Sequence, residues 1–288
     1  MNKGIQGIIL DVDGVIVGEK IGVNSPYPHP SVLQRLSDLR QKNGIVISLC
    51  TAKPHFAIRK IIDDAHLDNL HITDGGGVII DPIDNVVVTQ HTIPKDVAKE
   101  VLETYLASGV YVEFYTPQGY YIQSDRVSKI TEGHTHVLQH QPTLLANLAE
   151  SSIEHEITKI MPIATDVADK ARLTSLFQDF QDRLTLSWGV HPVMLPLQFG
   201  IITAPGISKQ QGVFDIAKTT GIPLENFLGI GDSTSDWQFI QPCGYGASVS
   251  NASQELKNLV LSKGDSRSFI GPGVDEHGIL KILDHFFD

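Results

Sequence analysis

Apolar runs and helix-period segments alternate at the amino end of this chain, and no other feature constrains the fold as much. "IQGIIL" (residues 5–10) reads as a strand covered on both faces. A loop with several Gly and Pro residues follows, from Gly14 to Pro30. In "SVLQRLSDLRQKNG", Val32, Leu33, Leu36 and Leu39 recur at helical spacing, and Asn43-Gly44 supplies a stop. "IVISLC" reads as a second buried strand and "PHFAIRKII" as a second helix. This order predicts a parallel sheet with helices on both faces.

The same alternation returns near the other end. Residues 209–219 read as a helix with Gly221 just beyond it, "NFLGI" as a strand and "SQELKNLVL" as a helix. Between the two blocks the texture changes. Strand-like runs ("VVVTQ", "VYVEFY", "YYIQS", "ITKIMPIA", "LTLSW") mix with two helix-like runs ("KDVAKEVLETYLAS", "VADKARLTSLFQDF"). The expected organisation is a Rossmann-like, doubly wound α/β core from residues 1–84 and 190–288, with an α+β unit inserted at 85–189. There is no internal repeat and no low-complexity tract.

With 288 residues, 41% of them hydrophobic, the chain has ample material for a buried core. The formal net charge of −11 argues against a broad nucleic-acid-binding face, though not against a small phosphorylated ligand held by a few local donors. Cys50 and Cys243 have no CxxC spacing, so a reduced, cytoplasmic setting is expected. "MNKGIQGIIL" does not read as a signal peptide, and no apolar stretch approaches the ~20 residues of a membrane span.

Chemistry enters where the first strand ends. "GIILDVDGV" sets Asp11 and Asp13 two apart, hence on one face of an extended segment. An EF-hand loop counted from Asp11 fails at Val15, Ile16 and Gly22. An acidic turn and a phosphate-handling centre both remain. Two carboxylates at a strand's carboxyl end repel each other and an incoming phosphate, so a divalent cation, Mg2+ by donor type, is the natural neutraliser. The second strand ends in "CTAKP", where Thr51 is either a helix cap or an anion contact. "PGISKQQG" has capping-box spacing from Ser208 to Gln211, putting Lys209 in a first helical turn against the dipole. "FLGIGDSTSDW" places Asp232 and Asp236 after a strand, as solvated helix-start acids or as part of a site. Neither a P-loop nor a complete dinucleotide fingerprint occurs.

The order strand–DxD, strand–Thr, Lys, strand–GDxxxD resembles the motif set of the haloacid dehalogenase superfamily of phosphatases across most of the chain. The insert, lying between the Thr and Lys motifs, resembles the type IIB cap of Cof-like sugar phosphatases. "TDGGGVII", "GASVSNASQELK" and "GPGVDEHGILKIL" resemble further family segments. The resemblance implies that Asp11 is the nucleophile, giving an aspartyl-phosphate, and that Asp13 is the acid and base. It implies Mg2+ at Asp11, Asp13 (through its backbone carbonyl), Asp232 and Asp236. Thr51 and Lys209 would hold the phosphoryl oxygens, with Ala52, Lys53, Asp74, Gly75 and Asn251 completing the substrate contacts. There are departures: Val15 replaces a threonine, Ala52-Lys53 a Gly-Arg, Ser235 an asparagine and Asp74 another asparagine. Lysine lacks arginine's planar fork, which puts a phosphate contact by Lys53 in doubt.

In such proteins the cap closes over the core site and selects the leaving group. Residues 85–190 hold eight Lys plus Arg against thirteen Asp plus Glu, which does not favour a second phosphate on the substrate. Tyr115, Tyr120 and Tyr121 are expected as half-buried strand residues rather than a sugar-stacking platform. His134, His136 and His140 are expected in a solvated loop rather than at a metal. The expectation is thus a Mg2+-dependent phosphatase of a small metabolite, monomeric or dimeric, binding neither nucleic acid nor membrane. A phosphomutase or phosphotransferase, or a non-catalytic binder on the same scaffold, are the alternatives.

Overall fold

In this computed structural model residues 4–288 are described; residues 1–3 of the amino-terminal stretch lie outside them. From the amino end the elements are β1 (Gly7–Leu10), α1 (Pro30–Asn43), β2 (Val46–Leu49), α2 (His55–Asp64), β3 (His71–Thr73), β4 (Val78–Asp81) and β5 (Val86–Gln90). Next come α3 (Lys95–Ala107), β6 (Tyr111–Thr116), β7 (Gly119–Gln123), α4 (Lys129–Leu138), β8 (Thr143–Leu145), α5 (Leu148–Ser151), β9 (Lys159–Ala164), α6 (Val167–Leu176), β10 (Thr185–Gly189) and β11 (Gln198–Thr203). The last block holds α7 (Lys209–Thr220), β12 (Phe227–Gly231), α8 (Trp237–Ile240), β13 (Tyr245–Val249), α9 (Gln254–Leu261), β14 (Ser268–Gly271) and α10 (Gly278–Phe287).

Two units emerge from the packing. The first takes the chain up to Thr51, Ile58–Val88 and Ser208–Asp288; the second takes Ala52–Ala57 and Thr89–Ile207. The second boundary differs from the sequence expectation of 189/190. Residues 198–203 form β11, which pairs with β9 and β10 and therefore packs with the insert.

The first unit is built on a parallel sheet of order β14-β13-β12-β1-β2. Its strands are short and apolar because both faces are covered: every residue of β1 and β12 is buried. Ile8, Ile9 and Leu10 are wholly buried, each worth about 1.5–3 kcal/mol of transfer free energy. Local signals bound the helices, and α1 takes in Pro30, which the sequence expectation puts in the preceding loop. Pro30 opens α1 behind the His29 cap, and Gly44, at φ +69°, closes it with its N–H on the Arg40 carbonyl. From β1 the chain moves outward to β2 on one side, and later returns to lay β12 on the other. The carboxyl ends of β1 and β12 thus flank a topological switch point, where open parallel sheets leave a crevice. The strands β3-β4-β5 form a separate small sheet.

The second unit is a six-stranded sheet of order β10-β11-β9-β6-β7-β8. It is antiparallel except for the β7–β8 pair. One face packs on α3, α5 and α6 through Val101, Tyr105, Leu148 and Leu173. Tyr115 and Tyr120 are wholly buried on the other face, deeper than the half-buried state expected, while Tyr121 is half-buried. The histidine segment also differs from expectation: residues 129–138 form helix α4, capped by Ser128. His134 is buried, its Nδ1 3.0 Å from Glu113 Oε1, and Tyr115 donates to Glu113 Oε2 at 2.6 Å. The sequence could not reveal this, because the partner that makes a buried histidine tolerable lies on β6, 21 residues earlier.

Candidate active site

Asp11 follows β1 directly and Asp232 follows β12. The two strands run in register, Leu10 opposite Ile230, and Asp11 N–H donates to the Ile230 carbonyl at 2.9 Å. β1 stops at Leu10, opposite Ile230, and β12 runs one residue further to Gly231, so the pairing of these two strands brings Asp11 and Asp232, far apart in sequence, to the same end of the sheet. Backbone crowding completes the approach. Gly14 has φ +81°, and a Cβ there would lie 2.1 Å from Asp232 Oδ2. Only glycine both adopts that conformation and leaves room for the carboxylate.

Lys209 begins α7 after the Ser208 cap, whose Oγ accepts from Gln211 N–H. Its Nζ donates to Asp11 Oδ1 at 2.8 Å and to Asp236 Oδ1 at 2.6 Å. The two carboxylates are the compensation that a cation in a first helical turn requires. Asp236 is wholly buried. Its second oxygen accepts from Asp232 N–H at 3.0 Å, Ser233 N–H at 2.9 Å and Ser233 Oγ at 3.0 Å. Both oxygens of Asp236 are therefore occupied by protein donors, one by the ammonium and one by the loop. Ser233 was not singled out from the sequence, although Ser233-x-x-Asp236 has capping-box spacing that marks it.

Thr51 is buried beyond β2. Its N–H donates to the Ile72 carbonyl at 3.0 Å, and its carbonyl accepts from Gly75 N–H at 3.0 Å. Asp74 and Gly75 form a left-handed turn, at φ +52° and +69°. Gly76 abuts the backbone ahead of Lys209: a Cβ there would lie 2.2 Å from the Ser208 carbonyl oxygen. This turn ties the Thr51 segment to the Lys209 segment, which accounts for glycine at 75 and 76. Asp74 is buried, with Thr73 Oγ1 donating to its Oδ2 at 3.2 Å. Asn251 donates to the Gly14 carbonyl and accepts from Val274 N–H. Ala52 and Lys53 group with the second unit, where Lys53 is buried.

The carboxylate oxygens of Asp11, Asp232 and Asp236 come within 4.8 Å of one another. Burial, then the Asp236 charge, raise the Asp11 carboxyl to about 7 against the pull of Lys209. Burial, then Asp11 and Asp236, raise Asp232 to about 8. The charge of Asp13, on the turn beyond β1, raises both further. For Lys209, burial opposes the ammonium, but Asp11 and Asp236 outweigh it and hold its pKa well above the ordinary value. Three carboxylates against one ammonium leave surplus negative charge on hard oxygen donors. That set suits a small divalent cation of the Mg2+ type, with Asp11 and Asp232 the carboxylates best placed to hold it.

A family model of haloacid dehalogenase-like hydrolases matches residues 8–283. Phosphatase YwpJ of Bacillus subtilis is 24% identical, over 96% of this chain and 98% of its own. The same organism's 5-amino-6-(5-phospho-D-ribitylamino)uracil phosphatase YwtE is 21% identical, over 96% of each chain. A haloacid dehalogenase-like hydrolase from Bacteroides thetaiotaomicron has the same fold, with TM-score 0.81 at 17% identity, over 98% of this chain and 100% of that one. The structure described as the HAD subclass IIB sugar phosphatase BT4131 superposes with TM-score 0.76 at 19% identity, over 98% of each chain. With the family match running nearly from end to end, this chain belongs to the haloacid dehalogenase-like hydrolases and is an enzyme whose relatives are phosphatases.

Proposed function

We propose that the enzyme hydrolyses the phosphate monoester of a small metabolite, a sugar phosphate or related polyol phosphate, through a phosphorylated Asp11. The observation that carries this reading is the ammonium of Lys209 held between the carboxylates of Asp11 and Asp236, beside Asp232 at the switch point of the sheet. Buried charges of this density are costly and persist where phosphate chemistry uses them. A relative that is a phosphatase of a phosphoribitylamino compound and a structural neighbour that is a sugar phosphatase support the substrate class.

Asp11 attacks phosphorus, forming the Asp11–phosphoryl bond as the bond to the leaving oxygen breaks. Asp13 protonates that oxygen, then takes a proton from the water that attacks the phosphoryl group and frees Asp11. Lys209 draws the Asp11 pKa down against its burial and, with Thr51, offers positive charge and a hydroxyl to the phosphoryl oxygens. Asp11, Asp232 and the Asp13 backbone carbonyl would hold Mg2+, while Asp236, its oxygens already taken, fixes Lys209. When bound, Mg2+ neutralises the carboxylates and the transferring phosphoryl group. Asp74, Gly75 and Asn251 brace this set through the contacts above. The net charge of −11 supports a small substrate rather than nucleic acid. Two free, buried cysteines support a reducing, cytoplasmic setting. No helix among the described residues is long and apolar enough to cross a membrane.

The test is phosphate release from an aryl phosphate, with and without Mg2+, by the wild type and Asp11→Asn. The expected result is Mg2+-dependent release that falls by at least about 10³-fold in the variant. Release that persists undiminished in Asp11→Asn would refute the assignment. A panel of hexose, pentose, polyol and nucleotide monophosphates then ranks the substrates.

A further inference from the structure

The turn carrying Asp13 folds back at once beyond β1. The N–H groups of Ile16 and Val17 donate to the Val12 carbonyl at 3.0 and 2.9 Å, and Gly14 N–H donates to the Val17 carbonyl at 2.8 Å. The Gly14 carbonyl is met from outside the turn: Asn251 Nδ2 donates to it at 3.0 Å. The other end of that amide is also anchored, since Val274 N–H donates to Asn251 Oδ1 at 2.8 Å. A carbonyl on one side and an N–H on the other permit a single orientation of the amide. The 3-10 turn Val274–Glu276 is gripped a second time, by Asn24. Asn24 Nδ2 donates to the Val274 carbonyl at 3.3 Å and to Asp275 Oδ1 at 2.8 Å.

Gly14 must be glycine, because of its φ and its contact with Asp232. Glycine is also the residue with the most torsional freedom, and here it directly follows the acid. Something other than a side chain of its own has to restrain it. We propose that Asn251 is a positioning residue for Asp13: with Gly14 N–H tied to Val17 and its carbonyl tied to Asn251, the peptide units around Gly14 are fixed, and the Asp13 side chain is aimed. This rests on the role of Asp13 in proton transfer given above. A purely structural role for Asn251, stapling the segment of Val274 to the unit, makes a different prediction, because Asn24 holds that same segment without touching Gly14.

The experiment compares Asn251→Ala, Asn251→Asp and Asn24→Ala with the wild type. Asn251→Asp keeps the acceptor for Val274 N–H but sets a carboxylate oxygen against the Gly14 carbonyl. It thus isolates the Gly14 contact should the alanine variant fail to fold. Turnover of an aryl phosphate is expected to fall about 10- to 100-fold in both Asn251 variants, with KM within about 3-fold. Asn24→Ala is expected to keep kcat within about 3-fold. Amide hydrogen exchange at residues 14–17 is expected to quicken about 10-fold in the Asn251 variants alone. Wild-type kcat in Asn251→Asp, or an equal loss in Asn24→Ala, would overturn the proposal. If the wild type releases no phosphate, the assigned reaction fails, and the exchange data alone decide: unchanged exchange at residues 14–17 in Asn251→Asp overturns the positioning role, and faster exchange there sustains it.

Discussion

Exchanging Lys209 for methionine keeps most of the side-chain volume and deletes the ammonium that two carboxylates share. Its nitrogen lies 2.8 Å from Asp11 and 2.6 Å from Asp236. At an effective dielectric constant of about 20, each attraction is about 6 kcal/mol. Desolvation cancels much of that, and breaking such a buried pair costs about 3–5 kcal/mol net. The cost must also depend on pH. Asp11 and Asp232 titrate at about 7 and about 8 with the lysine present, and Lys209 is among the groups that lower both. Without it the folded variant retains protons that the folded wild type has released, while the unfolded chains bind equally. A group whose folded pKa is raised loses its stabilising effect as pH rises, so the penalty of Lys209→Met grows with pH. Each extra retained proton adds about 1.4 kcal/mol per pH unit. Near pH 5 both carboxyls are protonated in either protein and the penalty is at its smallest; it starts to climb near pH 7 and goes on climbing above pH 8, until the carboxyls of the variant have ionised as well.

Each unit carries one tryptophan, Trp237 in the first and Trp188 in the second. Guanidinium unfolding followed by Trp237 fluorescence, in a Trp188→Phe background with chelator present, therefore reads the unit that holds the site. A penalty that is the same at low and high pH, or below about 1 kcal/mol above pH 8, would show that the ammonium pairs no better than a surface group, and the description of the site would fail.

Two further outcomes follow from single contacts. Gly14→Ala drives a methyl group onto Asp232 Oδ2 and forces alanine to φ +81°. Displacing that carboxylate is expected to weaken half-saturation by Mg2+ about 10-fold, read from activity against metal concentration; an unchanged value would remove Asp232 from the metal site. In the second unit, His134→Ala leaves the buried Glu113 with only the Tyr115 hydroxyl among its hydrogen bonds described above. It is expected to cost about 2–3 kcal/mol by Trp188 fluorescence in a Trp237→Phe background, and a neutral result would mean that water satisfies Glu113.

In the first unit β1, β2, β12, α1, α2, α7 and α9 could be read from the chain because their signals are local, whereas β3, β4, β13, β14, α8 and α10 were not read. Apolar runs become doubly covered strands, Pro30 and Gly44 bracket α1, and Ser208 caps the helix of Lys209. The family and its acid, threonine and lysine motifs were legible for the same reason: each sits at the end of one strand or the start of one helix. Where a residue's state depended on a distant partner, the sequence was silent. His134 looks like a loop residue until Glu113 is placed beside it. Asn251 is one amide among many until the Gly14 carbonyl and Val274 N–H arrive on its two sides.

Residue order alone determined which short segments carry charge and hydroxyls, and that each ends a strand or opens a helix, since backbone periodicity and capping act over a few residues. Only the tertiary structure decided that β12 lies against β1 rather than elsewhere in the sheet. That pairing brings Asp11 to the end of the sheet that carries Asp232 and Asp236, and the packing of α7 sets Lys209 between Asp11 and Asp236, which creates the buried charge balance. Contacts between residues some 200 positions apart are a property of sheet order, which no local pattern encodes.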